Sequence, residues 1–297
     1  MIKGFFVIFL VLAAFFSNQQ FHKHPIYVGG HNRPPTINQP PPEQGKPVAP
    51  YNVFTLDSDN YTMFPSMAEA LFYARRINPS FIYHWDSGRL LWDNMSTPPA
   101  SAKLEAPFIY QLPELPRGCE VTSLAMLLLG QDIKTDKMEL AKRVKKDPTP
   151  YQIKNGRVFY GNPNIGFVGQ MYDIKAAGYG VYHGPIAILL DEYMPGMALD
   201  LTGCNFDDLF YYLALEIPVW VIVNATNAPL PKSSFMTWDT VLGSIEVTYR
   251  EHAVLLTGYD ETNVYFNCPL KGQISADKHN FAAAWEQMGR QAVTIKP

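Results

Sequence analysis

The sequence predicts an α+β domain, a helical part packed on an antiparallel sheet, preceded by a small βαββ module. Three observations carry that prediction. After Pro107 the apolar segments are helical first and strand-like afterwards, the order of an α+β fold rather than of alternating β and α units. The last third, from VWVIVNA (219–225) to QAVTIK (291–296), consists of short apolar runs joined by turn residues, a meander pattern. Two linker stretches set off residues 51–95, which carry strand and helix signals of their own.

The chain opens with an apolar run, Gly4 to Phe16, behind Lys3. Thirteen uncharged residues match the apolar region of a signal peptide and fall short of the ~20 needed to span a bilayer. LAAFFSNQQ offers no small-x-small cleavage pattern, so residues 1–20 read as a signal peptide or as a retained membrane anchor. A buried core helix is the weaker reading, because a proline-rich tail follows. Either favoured reading makes the protein extracellular or cell-surface, with the membrane touched only through this segment. Residues 21–50 hold eight prolines from Pro25 to Pro50 and form a semi-rigid linker. The tail histidines, His22, His24 and His31, read as solvated groups, and no metal or cofactor is expected.

In residues 51–95, NVFTL is a strand and SMAEALFYARRI a helix whose Ser66 and Glu69 form a capping box. FIYHW and RLLWDN are further strands about a DSG turn. A second linker covers 96–106, and the main domain covers 107–297. There a helix follows Gly118 and runs to about Leu129, and another covers Thr135–Val144. A Gly/Asn/Pro loop spans 155–169, a short helix 171–177, and a strand-like GVY 180–182. PIAILLDEYM and FDDLFYYLALE are helices, VWVIVNA a buried strand, and SIEVTYREHAVLLTGYD with NVYFNCPL a set of strands joined by turns. FAAAWEQM is the last helix and QAVTIK the last strand. With 297 residues, 47% hydrophobic and 17% charged, one sizeable core and an accessory unit are affordable. A net charge of −3 without a basic stripe argues against nucleic acid as a partner.

Three cysteines, Cys119, Cys204 and Cys268, cannot all pair internally. Cys119 stands in LPRGCEVTSLAMLLL, at the start of an apolar helix. A helix N-terminus carries unsatisfied N–H groups and a partial positive charge, which favour a thiolate. Gly118 would leave space beside the sulfur. The plainer reading is a buried structural thiol. A thiolate needs a base, and His252, at the head of the apolar strand HAVLLTGY, is the candidate that packing would hold in place. His183 reads as a loop or strand-end residue and His279 as a solvated turn residue. Gln111, eight residues before Cys119, could supply a side-chain donor to an oxyanion beside the Cys119 N–H, or be an exposed loop glutamine. A Cys204–Cys268 disulfide, leaving Cys119 as the lone thiol, is a further possibility.

FIYQLPELPRGCEVTSLAMLL, NPNIGFVGQMYDI, SIEVTYREHAVLLTGYD and VYFNCP together resemble the bacteriocin-processing, double-glycine-leader cysteine peptidases. The closer likeness is to their exported, mostly uncharacterised bacterial branch. The likeness covers Pro107–Pro297. It implies a papain-like fold and peptide cleavage by a Cys-His-Asp triad, with Cys119 as nucleophile, His252 as base and then acid, and Gln111 as oxyanion donor. It implies a peptide or protein substrate; cell-wall material is a second candidate partner. One position departs from the family: where it has an aspartate before a proline, this chain has Cys268, with Asn267 beside it. The third member is therefore Asn267 or Cys268. Three readings follow: a weakened enzyme, an Asn267-supported enzyme, or a retired one that binds peptide or cell-wall material.

Overall fold

A computed structural model describes residues 49–297 apart from residue 57, with side chains left undescribed at 58–60. The signal or anchor segment and nearly all of the proline-rich linker, with His22, His24 and His31, lie outside the described residues. Among the described residues no helix is long and apolar enough to cross a membrane.

The small module pairs β1 (Tyr51–Thr55) with β2 (Ser58–Phe64), then adds α1 (Met67–Ala74), β3 (Ser80–His84) and β4 (Leu90–Asp93), in sheet order β2-β1-β3-β4. β2 was not apparent from the sequence, where SDNYTMF has no clean alternation. Ser66 caps α1, accepting from the Glu69 N–H as the capping box requires. Met67, Ala70, Leu71 and Ala74 make its buried face. The module does not stand apart: its apolar residues join the core of the main domain. Arg75 pairs with Asp208, and Tyr211 and Tyr212 reach Asp93 Oδ2 (3.1 Å) and the Leu91 carbonyl (3.2 Å).

The linker contains β5 (Ala102–Lys103), which pairs with Gly258 and Tyr259 of the main sheet. α2 (Cys119–Leu129) and α3 (Lys137–Arg143) follow. Short strands β6 (Lys146–Asp147) and β7 (Gln152–Lys154) come next, and β8 (Arg157–Phe159) and β9 (Phe167–Val168) lie within 155–169, the stretch expected to be loop. Then come α4 (His183–Tyr193), β10 (Ala198–Asp200), α5 (Asp208–Ala214), β11 (Val219–Asn224), β12 (Met236–Thr240), β13 (Gly243–Val247), β14 (Glu251–Tyr259), β15 (Asn263–Cys268), β16 (Gly272–Asp277), α6 (Lys278–Gln287) and β17 (Ala292–Ile295). The main sheet is antiparallel, in order β10-β17-β11-β14-β15-β16 with β5 on β14. β11 and β14 are interior strands covered on both faces, which is why VWVIV and HAVLL read as continuous apolar runs.

Other expectations are corrected as well: GVY (180–182) forms no strand and leads straight into α4. Residues 171–177 are turns rather than a helix. Arg117 takes the carbonyls of Gln170, Asp173 and Ile174, and Asp173 Oδ1 accepts from the Lys175 N–H, so these groups are spent on loop contacts. No disulfide joins Cys204 to Cys268; all three cysteines are buried free thiols.

Candidate active site

α2 is the buried axis of the main domain, shielded from Cys119 to Leu128. Its first turn is fastened to the sheet at two points. Trp220 Nε1 on β11 donates to the Glu120 carbonyl at 3.0 Å, and Ser123 Oγ donates to the Ala253 carbonyl on β14 at 3.1 Å. Ala253 follows His252, so the second bond sets the helix tip beside the histidine. Cys119 and His252 line one cavity of about 320 Å³, together with Gln111, Tyr179 and Glu251. Ile174, Tyr249 and Leu270, all well exposed, form its apolar rim. A larger cavity of about 520 Å³, between His84, Trp85 and Lys296, holds none of these groups.

His252 Nε2 lies 3.2 Å from Cys268 Sγ. The register explains why the thiol rather than Asn267 sits there. Asn267 pairs with Leu255, so Cys268 continues opposite Val254 and shares the face of His252, two residues back. Asn267 points the other way and donates to the carbonyls of Ala106 (3.2 Å) and Pro107 (2.9 Å), fastening the chain where it enters the domain.

Gln111 is buried, held by its N–H to the Pro269 carbonyl at 2.9 Å. Its Nε2 donates to the carbonyls of Leu115 (3.0 Å) and Pro116 (3.2 Å), and Oε1 has no partner among the described residues. The amide therefore borders the cavity with its N–H groups turned to the 115–116 loop. The N-cap of α2 is Gly118, which has no side chain to accept from the first N–H groups of the helix.

Gly118 has a different reason from the one expected. A Cβ there would meet Leu115 Cβ at 2.5 Å, so the glycine admits Leu115 rather than opening room for a substrate. His183 opens α4, its Nδ1 2.6 Å from Asp200 Oδ2, and lies outside this cavity. His279 is exposed in the first turn of α6.

The electrostatics reverse the expectation for the thiol. Burial, then the Glu120 and Glu251 carboxylates, push Cys119 well above the ordinary thiol range, although a contact with the Ala253 backbone acts in the opposite sense. Burial, with a smaller push from Lys271, lowers His252 to about 4. The resting pair is a neutral thiol and a neutral imidazole. Cys119 Sγ donates to Glu120 Oε2 at 3.3 Å, and Glu120 Oε1 accepts from the Val181 N–H at 2.7 Å. Glu251 Oε1 is shielded and makes no hydrogen bond among the described residues. Burial raises both carboxyls, and Glu120 raises Glu251 further.

One ligand atom each from Cys119, Glu120 and Glu251 lie within 4.8 Å of one another, near enough for a divalent cation. With both carboxyls driven toward neutrality and Glu120 Oε1 held by an amide, the group suits a shared proton better than a cation. The sequence reading gave Glu120 no chemical role and passed over Glu251. The available signal was adjacency: one acid follows the candidate nucleophile, the other precedes the candidate base.

A family model described as the Peptidase_C39 like family matches residues 103–293. An uncharacterised protein of Bacillus subtilis (strain 168), YvpB, is 42% identical over 186 residues, 62% of this chain and 71% of its own. A Bacillus anthracis crystal structure, described as a candidate C39-like peptidase, is 46% identical with TM-score 0.62, covering 66% of this chain and 98% of that one. A double-glycine-motif protease from an AMS/PCAT transporter, crystallised with a leader peptide, matches at 15% identity and TM-score 0.35, over 66% of this chain and 94% of that one, too distant to bear on the site.

Proposed function

The chain belongs to the Peptidase_C39 like family, and we propose that it is an exported or cell-surface hydrolase that cuts peptide or amide bonds with Cys119 and His252. The observation that carries the proposal is the shared cavity: a thiol on a helix tip and an imidazole on an interior strand, held together by the Ser123–Ala253 hydrogen bond.

In this reading His252 takes the Cys119 proton through Nδ1, since Nε2 is turned to Cys268. The thiolate attacks the carbonyl carbon. The resulting oxyanion accepts from the Cys119 N–H, and from Gln111 once its amide turns from the 115–116 carbonyls. The imidazolium protonates the leaving amine, and water, deprotonated by His252, hydrolyses the thioester. The substrate is a peptide or protein, and the 1–20 segment tethers the enzyme or directs its export. The test is cleavage of a peptide library by the wild type and by Cys119→Ala. Loss of all cleavage in the variant is expected; equal cleavage by both would remove Cys119 as nucleophile.

One observation favours a second reading, an impaired domain that binds peptide or cell-wall material: the group behind the imidazole is a thiol, which neither orients nor stabilises imidazolium as a carboxylate does. Binding of peptides without turnover by either protein would select it.

A further inference from the structure

Beneath the nucleophile lies a second set of groups that the steps above leave unused. Glu120 comes from the first turn of α2 and Glu251 from the start of β14, and both turn toward Gly180. A Cβ on Gly180 would meet Glu120 Oε1 at 2.4 Å and Glu251 Oε2 at 3.1 Å, so the backbone there is cut back to admit both carboxyls. Glu120 is fixed on three sides: Val181 N–H on Oε1, the Cys119 thiol on Oε2, and Trp220 on its carbonyl. The sulfur's hydrogen-bond partner is thus a carboxylate. We propose that Glu120, with Glu251 as its partner, is a catalytic residue that governs the Cys119 proton: ionised, it holds Cys119 as a thiol; protonated, it releases that proton to His252.

This deepens the hydrolase reading and rests on it. The proton count is simple. With Glu120 charged, S–H donates to the carboxylate, and a thiolate would place a second negative charge about one hydrogen-bond length away. When Glu120 takes a proton from solvent, the thiol proton can pass to His252, giving thiolate and imidazolium with no change in net charge. That proton later leaves on the amine product. The other groups facing the pair act in one direction or are already engaged. Tyr179 and Tyr182 bond each other at 2.9 Å and are held as neutral phenols by burial. Arg117, on the cavity wall, is spent on three loop carbonyls. Lys271 opposes protonation of His252. Two buried carboxyls side by side cannot both ionise readily, so one proton remains between them near neutrality.

The test is the rate of Cys119 alkylation by iodoacetamide, read by mass spectrometry from pH 4 to pH 9 in EDTA, in the full chain, its Glu120→Gln variant and its Glu251→Gln variant. Alkylation needs no turnover, so it is decided independently of whether the protein cleaves peptides. In the wild type the rate should fall at least about threefold as Glu120 ionises through the neutral range. Glu120→Gln should abolish that fall and react at least ~10-fold faster at pH 8, since removing a unit charge this close favours the thiolate strongly. Glu251→Gln should keep both the fall and its midpoint, because Glu251 is the more strongly raised of the two carboxyls and is still neutral while Glu120 ionises. Should Glu120→Gln fail to fold, the wild-type and Glu251→Gln profiles decide, since both must show the fall. A wild-type rate rising smoothly tenfold per pH unit, as for an isolated thiol, or a fall that Glu251→Gln abolishes, overturns the proposal.

Discussion

Replacing Cys268 by Asp puts a carboxylate where the imidazole now meets a thiol, and the consequence can be worked out. The Cys268 sulfur is 3.2 Å from His252 Nε2, and both residues are shielded from solvent. Two opposite charges at about 4 Å attract by ~4 kcal/mol at an effective dielectric constant of 20. At ~1.36 kcal/mol per pKa unit this is roughly 3 units, the upper end of the 1–3 units that a neighbouring opposite charge produces. Desolvating the new carboxylate opposes part of the gain, so a rise of about 1–2 units from the present value of about 4 is expected. Each unit multiplies the thiolate–imidazolium population about tenfold. Alkylation of Cys119 at pH 7 should therefore accelerate ~10- to 100-fold in Cys268→Asp. NMR titration of the His252 ring gives the pKa directly. Cys268→Ser, without the charge, should change either quantity by less than about threefold. A folded Cys268→Asp protein whose His252 titrates where the wild type does would refute the reasoning, because the contact to Nε2 would then carry no electrostatic weight.

Three further outcomes are expected. The lowered pKa of His252, about 4 against 6.5 when unfolded, means that the native state binds fewer protons in that window. The shift costs nothing above pH 6.5, where the ring is neutral in both states, and stability falls as pH drops to about 4, by ~3 kcal/mol in total. The urea-unfolding difference between wild type and His252→Gln should shift by that amount between pH 7 and pH 4, and a constant difference would deny the shift. Gln111→Ala should lower kcat/KM about 10²-fold through kcat, as loss of an oxyanion donor does; an effect on KM alone would make Gln111 a loop brace. Arg75→Ala leaves Asp208 buried without its partner. Because Arg75 is partly exposed, a loss of ~1–3 kcal/mol is expected, below the ~3–5 kcal/mol of a fully buried pair. Unchanged urea unfolding would show that the small module does not depend on that pair.

The residues that meet in the cavity were largely legible because two kinds of signal coincide there. GCEVTSLAMLLL announces a helix start, and EHAVLLTGY announces an interior strand with its polar residues at one end. What the sequence could not supply is which side chains share a face. The choice between Asn267 and Cys268 turns on a register of one residue, and a slip of one flips every side chain. Gly118 was misread for a similar reason: open space and a close neighbour look the same in a sequence. Burial was also hidden. The strand β2 lacks alternation, and the 171–177 turns exist because Arg117, distant in sequence, claims their carbonyls.

The reversal at Cys119 comes from magnitudes. A helix terminus contributes typically 0.3–1 kcal/mol, and up to ~2 kcal/mol in favourable buried geometry. Taking an ion out of water costs several kcal/mol even after relaxation. A thiol at a buried helix tip, with two carboxyls beside it, is therefore held neutral despite the dipole. In such a cavity a thiolate forms most readily by a transfer that buries no net charge, from sulfur to an imidazole able to hold the proton. The helix tip then selects where the sulfur sits, while the groups around the imidazole and the acid pair decide whether it ionises. On the proposed mechanism reactivity is accordingly most sensitive at Cys268 and Glu120, one on each side of the transfer, rather than to the dipole of α2.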